Sequence, residues 1–123
     1  MRTKIAIIPY VTHGRTNIGH DGYLNIFRKS RSTVLKENLQ KVFLSKHQDV
    51  DVIVDVNHGN LQYLKREGIN LFLIPEELDK YMDYTGVCKD DCFVLKYEEY
   101  ENGDVTRIVD FIEKSHLSSI LKD

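Results

Sequence analysis

Apolar positions along the chain fall into short runs and longer stripes. Residues 4–8 (Lys-Ile-Ala-Ile-Ile) form a run ended by Pro9, the pattern of a strand covered on both faces, as in a parallel sheet. Val34, Leu35, Leu39, Val42 and Phe43 recur at helical spacing, with Lys36, Glu37, Gln40 and Lys41 on the opposite side. That predicts an amphipathic helix over 33–46, capped by Ser32 or Thr33. Residues 50–56 (Val-Asp-Val-Ile-Val-Asp-Val) are β-branched at alternate positions and predict a second strand. Asn60 can cap a short helix over 61–67 that stops at Gly68, where a left-handed residue ends many helices. Residues 69–74 predict a third strand. Pro75, Glu76 and Glu77 then open a helix over 76–84, with Leu78, Tyr81 and Met82 as its buried face. Proline is tolerated in a first turn, and acids favour its positive end.

The last third reads differently. Phe93, Leu95 and Tyr97 alternate on one arm, and Val105, Arg107, Val109 and Phe111 on another. Between them lies Asn102-Gly103, a dipeptide suited to a two-residue hairpin turn because both turn positions need positive φ. An antiparallel hairpin over 92–113 is therefore expected. A short helix from Ser115 should follow, with Leu117, Ile120 and Leu121 as its stripe; a rival reading starts that helix earlier, near Asp110. The resulting order, β-α-β-α-β-α-β-β-α, implies an α/β fold: a mainly parallel sheet of about five strands with an antiparallel hairpin near the C-terminus, a Rossmann-like three-layer sandwich. Residues 1–123 suit a single domain.

Composition narrows the function classes. Seventeen basic and nineteen acidic side chains give a net charge of −2, so there is no bulk electrostatic drive toward nucleic acid or an anionic membrane. The Arg28-Lys29-Ser30-Arg31 cluster lacks interleaved aromatics and reads as a solvated helix start. No apolar run approaches the length of a membrane helix, and the N-terminal run is too short for a signal-peptide core. The two cysteines, Cys88 and Cys92, lie four apart; a disulfide between them is not expected in a reducing cytosol, and they do not form the framework of a secreted scaffold. A cytoplasmic protein is expected.

Candidate chemistry concentrates in two loops. Residues 10–31 show no period and hold Gly14, Gly19 and Gly22 among polar residues; structureless segments this long inside a domain are mostly functional or mobile. In open α/β sheets ligands bind beyond the carboxyl ends of the strands, where strand order reverses. If the first two strands are neighbours, the loop carrying Thr12, His13, Gly14, Arg15, Thr16, Asn17 and His20 faces the loop carrying Asn57 and His58.

Three chemistries suit these residues. An anion site would use glycine-exposed backbone N–H groups, the bidentate fork of Arg15, and the neutral donors Thr12, Thr16, Asn17 and Asn57. A catalytic site would use His13 or His58 as proton donor, general base or phosphate acceptor. A metal set could draw on His13, His20, Asp21, Asp55 and His58, but the ligand spacing of a metal motif is missing, so no metal is assigned and no cofactor is identified. The Gly-x-Gly-x-x-Gly and Gly-x4-Gly-Lys-Ser patterns are both missing too.

His13-Gly14-Arg15-Thr16 after a strand resembles part of the Arg-His-Gly-x-Thr motif of histidine phosphatases, which would imply a phosphate-accepting His13. Thr12 stands where that motif has its first arginine, and the chain is shorter than that fold. Thr12-His13-Gly14 is also similar to the phosphohistidine segment of mannose-type phosphotransferase IIA domains, whose further glycine-rich strand ends are not evident here. Neither resemblance extends past three or four residues, and neither assigns a family.

The expected function is recognition of a small phosphorylated or nucleotide-like anion at the loop after the first strand, with phosphoryl-transfer or hydrolytic chemistry if His13 or His58 is catalytic. The alternative is a non-catalytic regulatory or accessory protein, of the size that phages and plasmids encode, acting through a partner or a homodimer; the tyrosine-bearing 92–113 hairpin, as a dimer edge, and the short 76–84 helix motivate it.

Overall fold

The short apolar runs become strands, and all of them lie parallel. A computed structural model of the chain describes residues 3–9, 31–55 and 60–114. Strand β1 spans Thr3–Ile7, β2 Val50–Val54, β3 Leu71–Pro75 and β4 Cys92–Leu95. Helix α1 spans Arg31–Ser45, α2 Leu61–Arg66, α3 Glu76–Asp79, α4 Tyr97–Asn102 and α5 Thr106–Lys114. The four strands form one sheet in the order β2-β1-β3-β4. Register sets Thr3 beside Val50, Ile5 beside both Val52 and Leu71, and Leu73 beside Phe93. β1 and β3 are therefore central, and their side chains are buried on both faces with the partial exception of Lys4.

The chain crosses the sheet in one direction from β1 to β2 and in the other from β2 to β3 and on to β4. Right-handed crossovers then put α1 on one face and α2 and α3 on the other. α1 packs against β2 and α4, while α3 packs against β3 and β4. Leu35, Leu39 and Phe43 of α1 enter the core with Ile5, Ile7, Val50 and Val52; Leu61, Leu64 and Leu78 come from the opposite side.

Both edges of the sheet are covered by side chains that imitate a neighbouring strand. On β2, the Gln40 amide donates to the Val50 carbonyl at 2.7 Å and its oxygen accepts the Val52 N–H at 3.1 Å. On β4, Arg107 Nη2 donates to the Val94 carbonyl at 2.9 Å. Inside the sheet, Asn70 clamps the start of β1: its Oδ1 accepts the Lys4 N–H, and its own N–H donates to the Lys4 carbonyl, both at 2.8 Å.

The expected hairpin over 92–113 is not what forms. Only Cys92–Leu95 is a strand, parallel to β3; α4 and α5 take up the rest, so the described sheet has four strands and no antiparallel arm. Alternation ends after Leu95 because a helix start is built there: Glu99 Oε1 accepts the Lys96 N–H at 2.8 Å, and Glu76 Oε2 accepts the Tyr97 N–H at 2.6 Å. Gly103 has the positive φ the dipeptide suggested (64°), but as the left-handed residue ending α4, where its N–H reaches the Glu99 carbonyl. The odd-numbered alternation from Val105 also left out Ile108 and Ile112, both buried. Val105, Ile108, Val109 and Ile112 form a helical stripe. α3 is shorter than the expected 76–84, and Tyr81, assigned to its buried face, is 44% exposed. The helix expected from Ser115 lies outside the described residues.

Candidate functional site

Because the strands are parallel, their carboxyl ends share one edge, and this edge is where the chemistry-bearing loops depart. Asp55 N–H donates to the Ile7 carbonyl at 2.9 Å, and Ile8 N–H donates to the Leu73 carbonyl at 2.9 Å, which levels the ends of β2, β1 and β3. Strand order reverses at β1: the chain leaves it toward β2 on one side and later returns to β3 on the other. The crevice that such a reversal opens lies beyond the end of β1. Thr12, His13, Gly14, Arg15, Thr16, Asn17 and His20 follow β1, and Asn57 and His58 follow β2; all nine lie outside the described residues.

The described rim of this edge is polar. Asp55, directly after β2, is only 4% exposed. The spacing of Asp49, Asp51 and Asp55 on one face along the second strand predicts an exposed edge or strand end for all three. Asp49 is exposed and Asp51 intermediate, whereas Asp55 is buried, because the ladder to Ile7 carries the backbone of Asp55 into the sheet. Arg31 and Ser32 open α1, and Ser32 is buried. Arg31 Nε pairs with Glu101 Oε2 of α4 at 2.8 Å, so this member of the basic cluster serves to join two helices. Asn60 caps α2 as its sequence position suggested, its Oδ1 accepting the Tyr63 N–H at 3.0 Å. Glu76, at the end of β3, holds the first turn of α4 through Tyr97.

Surface clefts lined by described residues lie elsewhere. One of about 290 Å³ is lined by Phe93, Arg107, Asp110, Phe111 and Lys114, between β4 and α5. Another, of about 200 Å³, sits below α2, lined by Lys4, Asp51, Ile53, Tyr63, Leu64, Glu67 and Ile69. The first is floored by the Phe93 and Phe111 rings, with centroids 5.1 Å apart, under the Arg107 guanidinium. Arg107 is committed to Glu99 through two hydrogen bonds, Nε to Oε2 at 3.0 Å and Nη2 to Oε1 at 2.7 Å. This pair was missed in the sequence because its partners lie on two helices, α4 and α5, where a hairpin was expected.

Among the described residues no group of three or more His, Cys, Asp or Glu side chains is arranged to hold a metal ion, and no helix is long and apolar enough to cross a membrane. Comparison with protein families, with curated proteins and with solved structures returns no match.

Proposed function

We propose that the protein recognises a small phosphorylated or nucleotide-like molecule at the carboxyl edge of the sheet, beyond β1 and β2. The observation that supports this reading is the strand order: β1 and β2 are parallel neighbours, and order reverses at β1. Residues 10–30 and 56–59 thus leave from adjacent strand ends on the edge where open α/β sheets bind ligands. In this reading the sheet is the middle layer of a Rossmann-like sandwich in a cytoplasmic protein. Arg15 holds the anion with a bidentate fork. Gly14 lets the backbone approach it, Thr12, Thr16, Asn17 and Asn57 orient it, and His20 adds a further donor. His13 or His58 supplies the proton or accepts the phosphoryl group if a reaction follows. The alternative, a non-catalytic protein acting through a partner or a homodimer, was motivated by the 92–113 hairpin and the 76–84 helix; α4 and α5 stand in place of the hairpin, so its outer strand edge is not there to pair.

The test is a thermal-shift screen of wild type and His13→Ala/Arg15→Ala against nucleotides, sugar phosphates and inorganic phosphate. A ligand at one hundred times its Kd stabilises the fold by about 2.7 kcal/mol, a rise of several degrees for a domain of this size. A shift seen in wild type and lost in the double variant supports the reading. A shift that the variant keeps, or no shift with any compound, overturns it.

A further inference from the structure

Two thiols stand at the two ends of one tight turn, at the amino end of β4 and so opposite the proposed ligand edge. Cys88 is exposed and precedes the 3₁₀ turn Lys89–Asp91; Cys92 follows that turn as the first residue of β4 and is half-buried. Asp91 N–H donates to the Cys88 carbonyl at 3.0 Å, folding the turn back on itself. Cys92 Sγ lies 3.7 Å from that same Cys88 oxygen. One sulfur therefore already rests against the backbone of the other residue. Lys89 and Asp90, between them, are exposed, the Lys89 ammonium lying over the Tyr84 ring at 4.7 Å from its centroid; closing the pair demands a Cα spacing of at most about 7 Å.

We propose that Cys88 and Cys92 form a thiol modification site whose substrate is a low-molecular-weight disulfide of the glutathione type and whose end state is an internal Cys88–Cys92 disulfide. The Cys88 thiolate attacks one sulfur of the small disulfide. That S–S bond breaks, a small thiolate leaves and is protonated, and Cys88 carries a mixed disulfide. Cys92 then gives up its proton and attacks the Cys88 sulfur, releasing the second small thiolate. The two protein thiols together lose two electrons and two protons, and the small disulfide is reduced to two thiols.

Exposure decides the order of attack. Burial, and after it the charge of Asp91, pushes the Cys92 thiol up to about 11, against the weaker opposing pull of Lys89. Asp79, hydrogen-bonded to Tyr84, adds to the same upward push. Cys92 is thus a poor first nucleophile, but a resolving thiol needs only proximity and transient deprotonation.

The full chain, incubated with glutathione disulfide in mildly alkaline buffer and followed by intact mass and thiol titration, tests this. Wild type should lose both thiols and two hydrogens, with no adduct remaining. Cys92→Ser should stop at a single glutathionyl adduct on Cys88, and Cys88→Ser should react several-fold more slowly than wild type. Three results overturn the proposal: a persistent adduct on wild type, a disulfide between two chains, or a Cys88→Ser variant as reactive as wild type. None of them bears on the carboxyl-edge reading, whose residues the assay does not touch.

Discussion

Glu99 is a carboxylate at 7% exposure, and its protonation state is decided by a contest. Burial works to raise the carboxyl; the two Arg107 hydrogen bonds and the Lys96 N–H outweigh it and hold Glu99 below its ordinary value of 4.5. A group depressed on folding contributes stability that is fully present above the unfolded value and is lost as pH falls through the folded one. Wild type should therefore lose stability in acid below 4.5, and Glu99→Gln should flatten that part of the profile in pH-dependent urea titrations. Arg107 is 45% exposed at its side chain, so solvent screening limits the pair's worth; Arg107→Met should cost about 1–2 kcal/mol, most of it the buried acceptor left behind. At Gly103 backbone and packing act together. φ is +64°, and an added Cβ would sit 2.7 Å from Asn38 Nδ2, the atom that donates to the Gly103 carbonyl. Gly103→Ala should thus cost more than about 1 kcal/mol from the left-handed backbone alone, with Asn38 displaced in addition, measurable as a lowered Tm.

At the scale of elements, most of the fold was legible in the sequence because its signals were local. The runs at β1, β2 and β3, the stripe of α1 and the Asn60 cap each depend on a few adjacent residues, and each forms within a residue or two of its expected bounds. The last third was misread where two local rules compete. Asn-Gly serves both a hairpin turn and a helix C-terminus, since both need positive φ. What separates them is Ile108 and Ile112, whose burial completes a helical stripe that alternation cannot accommodate. The Glu76 carboxylate that starts α4 comes from another element, and no local pattern could announce it. Val109 lies mid-helix and half-buried. Its N–H donates to the Val105 carbonyl at 3.0 Å, so Val109→Pro should break α5 at a cost of about 3 kcal/mol and reduce the helical circular-dichroism signal. A β-arm at this position would show no such loss of helix.

At the scale of the molecule, the sequence could nominate the loops but not the strand order that places them. That order is a non-local property, set by Asn70 clamped to Lys4 and by the register of Ile5 between Val52 and Leu71. The burial of Asp55 was hidden for the same reason. The edges make a further point. Exposed strand edges are templates for pairing with another chain, and here Gln40 occupies groups on β2 while Arg107 occupies one on β4. A Gln40→Ala/Arg107→Ala variant should scatter light increasingly with concentration under conditions where wild type does not, and each single variant should show a smaller effect.

An all-parallel sheet with its first strand in the middle also governs how the chain meets its own biosynthesis. β1 is made first, and Thr3 finds its neighbour only at Val50 and Ile5 its other neighbour only at Leu71. Translation proceeds at about 5–20 residues per second, so this central strand waits for seconds with neither of its neighbours yet made. Among the described strands, β1 is the one that waits longest for both of its partners.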